Sequence, residues 1–109
     1  MELMFLSDLE QLENLLSSYS FHADVLHEED GSTTLSLDEI DLVENGDDEK
    51  EALNKLSQAI IEYAEDYYND YLYWVRGDRI KHIPYVIKAL ILNNVEKIGK
   101  SVICHYGKQ

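Results

Sequence analysis

Ten apolar side chains between Ala52 and Trp74 recur every three or four residues: Ala52, Leu53, Leu56, Ala59, Ile60, Tyr63, Ala64, Tyr67, Tyr71 and Trp74. That is the period of an α-helix, and Glu51, Gln58, Glu62, Glu65, Asp66, Asn69 and Asp70 fill its other face. Asp47 or Asp48 starts the helix, where a carboxylate caps free amides and opposes the positive end of the dipole. Gly77 and Asp78 interrupt the pattern, so the helix ends between Asp70 and Arg76. A stripe this long must lie against another apolar surface, and the flanking sequence has to supply it.

The segment before it reads as a small sheet. In "FHADVLHEED" the period drops to two: Phe21, Ala23 and Val25 alternate with His22, Asp24 and Leu26, as in a half-buried strand. Asp30 and Gly31 suit a tight hairpin turn, and "TTLSL" follows with Thr33, Leu35 and Leu37 on one face. A third strand is expected at "IDLVEN", closed by Asn45 and Gly46. Ahead of the sheet, Ser7 and Glu10 form a capping box for a short helix, with Leu9, Leu12, Leu15, Leu16 and Tyr19 on one face.

After the long helix, Pro84 opens "PYVIKALILNN", where its missing donor costs nothing. "NVEKIGKSVI" reads as a last helix weakened by Gly99. Apolar residues from Ile80 to Ile103 keep mostly helical spacing, broken near Asn93 and Asn94, and too much of this surface is apolar to be left in water. The expectation is that the tail packs on its own body, with Arg79 and Lys81 near the acids of the long helix. The expected architecture is α+β, a single domain over 1–109. Residues 1–19 form an N-terminal helix, 20–75 a three-stranded antiparallel sheet packed on the long helix, and 76–109 a helical basic extension.

Charge is divided unevenly. Residues 1–74 hold 20 acidic side chains against Lys50 and Lys55, a balance of −18, while residues 75–109 carry +5, for a net charge of −13. An acidic body repels phosphate, which disfavours direct nucleic-acid binding. Two readings of the split stand: the basic tail neutralises the acidic helix, or it is reserved for a partner. The lone Cys104 cannot form an internal disulfide, and no apolar run reaches the roughly 20 residues of a membrane span. With no signal-peptide pattern at the start, the expected location is the cytoplasm.

Few residues suggest chemistry. His22 and His27, five apart on one strand, point to opposite faces, and Cys104 and His105 are adjacent, so no metal site is expected. No nucleophile elbow and no Gly-rich loop opening a helix is present, so neither a catalytic residue nor a cofactor site is expected. "RGD" at 76–78 reads as a polar turn at a helix end. Tyr63, Tyr67, Tyr71 and Trp74 belong to the stripe and to the core, whereas Tyr68 and Tyr73 lie off it, where an aromatic ring with a wet hydroxyl suits an interface. The expected contact surface is therefore Glu62, Glu65, Asp66, Tyr68, Asp70 and Tyr73, with Arg76 and Arg79 from the basic patch "RGDRIKHIPY".

The order strand, acidic turn, strand, "LDEIDLVENGDDEKEAL", amphipathic helix resembles the hairpin-plus-helix module of HicB-type antitoxins, with Gly46, Asp47, Glu51 and Ala52 at the start of the helix. The "YAEDY" helix, the basic linker and His82, Pro84 and Tyr85 resemble small bacterial antitoxins of the RelB or YefM type. The chain departs from both groups: it has no helix-turn-helix or ribbon-helix-helix reader, and its tail is apolar enough to fold. The resemblance implies a non-enzymatic module that neutralises or regulates a protein partner, such as a basic ribonuclease toxin. Acids on the long helix would steer that partner and occupy its phosphate subsites. A homodimer is also open, and the competing readings are a small enzyme whose site appears only on folding and a self-associating structural protein.

Overall fold

The computed structural model describes Gln11, Asn14 and residues 17–107. Strands β1 (Phe21–His27), β2 (Thr33–Leu37) and β3 (Leu42–Gly46) run antiparallel in sequence order. Helix α1 (Glu49–Asn69) then crosses the sheet, followed by one turn, α2 (Tyr71–Trp74), and a 3-10 segment, Gly77–His82. Helices α3 (Ile83–Leu92) and α4 (Val95–Ser101) pack along α1 and lead into β4 (Val102–Tyr106).

Local chemistry accounts for most boundaries. Gly31, at φ 92°, turns the first hairpin, and Asp30 accepts hydrogen bonds from the Ser32 amide and hydroxyl. Asp48 caps α1 by accepting from the Glu51 amide, and the Glu51 carboxylate reaches back to the Asp47 amide. Gly46 is required by close approach: a Cβ there would run into the backbone of Ala52. Pro84 sits in the first turn of α3, which ends on left-handed Asn93, and Asn94 caps α4 by accepting from the Lys97 amide.

The core lies between the sheet and the helices. Phe21, Ala23, Val25, Leu35 and Leu37 from the strands meet Ala52, Leu56, Ile60, Ala64 and Tyr67 of α1, with Val86, Ala89 and Ile98 from the tail. The tail packs on its own body, as its apolar content requires. Lys88 is drawn in with it; its ammonium donates to the Tyr19 carbonyl and lies over the Phe21 ring.

Four expectations need correction. The sheet has four strands in the order β3-β2-β1-β4 and is mixed, because β4 runs parallel to β1 with Phe21 opposite Val102 and Val25 opposite Tyr106. The expected last helix therefore stops at Ser101, and the extension is not wholly helical; Val102, at φ −80° and ψ 127°, turns the chain into a strand. Tyr71 is not core. Asp70, at φ −130° and ψ 55°, breaks α1 and rotates the next turn, leaving Tyr71 half exposed. Of the N-terminal helix, Gln11, Asn14 and Ser17 are helical and Ser18 already turns toward β1, while Ser7, Glu10 and the leucines lie outside the described residues.

Candidate partner-binding surface

The far end of α1 is built around buried Tyr67. Its hydroxyl donates to the Arg79 carbonyl at 2.7 Å, tying the 3-10 segment to the helix. One turn earlier, the half-buried Tyr63 hydroxyl lies 2.6 Å from His82 Nδ1, and His82 Nε2 lies 3.8 Å from an Asp41 carboxylate oxygen in the turn between β2 and β3. Burial pushes the Tyr63 and Tyr67 hydroxyls above their ordinary pKa. Burial also holds His82 below its ordinary value, outweighing the pull of Asp41 in the other direction. His82 is therefore a neutral structural link here. Trp74 closes the cluster edge-on against Tyr63 and Tyr73, and the Arg79 guanidinium sits 5.0 Å from its ring centroid.

Beyond this anchor the surface turns apolar and open. Leu72 is 76% exposed, Tyr68 70%, Tyr73 60% and Ile80 56%. Glu62, Glu65, Asp66, Asp70, Arg76 and Arg79, all expected from the sequence, are exposed around them. Arg79 and Lys81, expected near the acids of α1, form no ion pair with them within 4.0 Å among the described residues; Arg79 stacks on Trp74 instead. Leu72, Tyr71 and Ile80 were not among the expected contacts. Leu72 had a readable signal, standing four residues after Tyr68 and off the buried stripe. Ile80 had none, because its place in the tail pattern resembles that of the buried positions.

A second concavity of about 960 Å³ opens between the start of α1 and α4, lined by Leu53, Ser57, Val95 and Gly99 and rimmed by charges. Its Asp48 and Glu51 carboxylates are committed to capping α1, and among the described residues no histidine or cysteine lines it. On the outer face of the sheet, His22 Nδ1 and His105 Nε2 lie 2.7 Å apart, a pairing that depends on β4 lying beside β1. Among the described residues, no three His, Cys, Asp or Glu side chains converge as a metal site would need. Among the same residues, no helix is long and apolar enough to cross a membrane.

A family model described as the antitoxin of RelE/RelB toxin–antitoxin systems, PHD-like, matches residues 2–104. The chain belongs to this antitoxin family. The RelB-type resemblance of the "YAEDY" helix and the His82, Pro84 and Tyr85 motif is thereby borne out. The antitoxin is also similar to a crystal structure from Syntrophomonas wolfei subsp. wolfei, described as the antitoxin part of a proposed toxin/antitoxin system. The two share 30% identity with a TM-score of 0.80, over 90% of this chain and 71% of the other. No curated protein matches the antitoxin significantly. Membership implies a toxin as protein partner and a regulatory role.

Proposed function

We propose that this antitoxin neutralises a small basic toxin, of the ribonuclease kind, by docking the end of α1 and the following turn onto it in the cytoplasm. The observation that carries the reading is the exposure of Leu72, Tyr68 and Tyr73 beside Glu65, Asp66 and Asp70, acids that form no ion pair among the described residues. Apolar side chains left this open on a small protein mark an interaction site, and aromatic residues at the centre of an interface carry much of its energy. The acids add steering toward a basic partner and can stand in for the phosphates of its RNA. The Tyr67–Arg79 and Tyr63–His82 contacts tie the end of α1 to the following segment, which lowers the ordering cost of docking there.

The test is co-expression with a candidate toxin, a small basic protein of the ribonuclease kind taken from a neighbouring reading frame. Leu72→Asp and Tyr68→Asp are expected to lose toxin capture and rescue of growth while melting at the parent temperature. Full neutralisation by both variants would move the docking site elsewhere.

A further inference from the structure

The parallel pairing of β4 with β1 gives His22 a neighbour that its own strand does not offer. His22 faces outward between the buried Phe21 and Ala23, and on the same face Asp24 stands opposite His105 in the register. His22 Nδ1 and His105 Nε2 meet at 2.7 Å, with ring centroids 4.9 Å apart. One proton suffices for that hydrogen bond, so one of the two facing nitrogens presents a lone pair. Each strand is also fixed beside the pair. The His22 amide donates to the Glu39 carboxylate at 3.0 Å, and the hydroxyl of Tyr106, next to His105, donates to Glu49.

We propose that this pair binds a late first-row divalent cation of the zinc kind, held by His22 Nδ1 and His105 Nε2 across β1 and β4. Imidazole nitrogen selects zinc, copper and nickel over calcium and magnesium, which take oxygen. A tetrahedral ion about 2.0–2.1 Å from each nitrogen sets them about 3.3 Å apart, so the pair opens by about 0.6 Å. The ring torsion of histidine is broad and His105 is exposed, so the imidazoles turn to that geometry at small cost. Three or four converging protein ligands make a closed site, and none is present among the described residues; two imidazoles make an open one, completed by water. Asp24, in one shallow concavity with His105, is placed to accept a hydrogen bond from such a water. The acidic body draws a dication toward the chain. Once bound, the ion ties the edge strand β4 to β1 and stabilises the folded state. Tyr106 marks this site as lying near Glu49, at the start of α1, whereas toxin docking is assigned to the far end, so the two readings stand or fall separately.

Isothermal titration of zinc chloride into the full chain, free of any histidine tag and dialysed against EDTA beforehand, tests the site. One zinc per chain is expected. His22→Gln and His105→Gln should each weaken it about tenfold or more, with the fold retained by circular dichroism, while His27→Gln on the same strand leaves it unchanged. Zinc should raise the melting temperature of the parent but not of His22→Gln or His105→Gln, and should shift the imidazole nitrogen resonances of His22 and His105 together. No binding at millimolar zinc overturns the proposal. So does binding that neither His22→Gln nor His105→Gln weakens, which marks an adventitious ion only. One zinc per two chains places the ion between molecules and overturns it as well.

Discussion

At the scale of single residues, one helix break divides the tyrosines. Tyr67, just before it, is 1% exposed and satisfies the Arg79 carbonyl; Tyr71, just after it, is 49% exposed. Tyr67→Ala is therefore expected to cost about 3–5 kcal/mol, from the cavity and the orphaned carbonyl. Tyr71→Ala should cost about 1 kcal/mol or less, and urea unfolding of both variants measures the contrast. His82 sets a pH dependence. Its folded pKa is lowered from the ordinary 6.5 by burial, so below that value the unfolded chain binds more protons than the folded one. Stability is complete above pH 6.5 and falls as pH drops through the folded pKa. Denaturation on either side of this window should show the loss, and His82→Gln should flatten it. An equal acid loss in the variant would assign the effect to other groups.

At the scale of elements, the tail belongs to the core. Val86, Ala89 and Ile98 are buried against α1, and β4 pairs along β1 from Phe21 to Val25. Removing everything after Val75 exposes the long face of α1 and one edge of β1, and an aggregating or unfolded product is expected. Removing only residues 102–109 takes away one edge strand and leaves α3 and α4 in place, so a folded protein with a lower melting temperature is expected. Thermal melts of both truncations check this. A protein cut at Val75 that melts like the parent would make the tail a separable arm.

At the scale of the whole molecule, charge governs which partners the antitoxin meets. Residues 1–74 carry −18 and the tail +5, so the parent chain is expected to show no measurable affinity for random duplex DNA at physiological salt. Fluorescence anisotropy tests this, and micromolar binding would mean that the basic tail acts independently of the acidic body.

Local features were legible in the sequence wherever their physics is local. The stripe of α1, its Asp48 cap, the Gly31 turn, Pro84 in the first turn of α3 and the break near Asn93 and Asn94 each depend on neighbours a few residues away. So does the exposure of Tyr68 and Tyr73, which follows from their place off the stripe. The tertiary structure alone decided the rest. "SVICHY" continues a helical pattern until β1, some eighty residues earlier, offers it a parallel partner. Gly46 is needed because α1 passes against its backbone, and Arg79 leaves the acids of α1 because Trp74 offers its ring. Tyr71 fits the helical spacing and is still turned outward, because the backbone at Asp70 departs from helical geometry. Spacing records which faces one element can bury, whereas partners distant in the chain are chosen only when the elements pack.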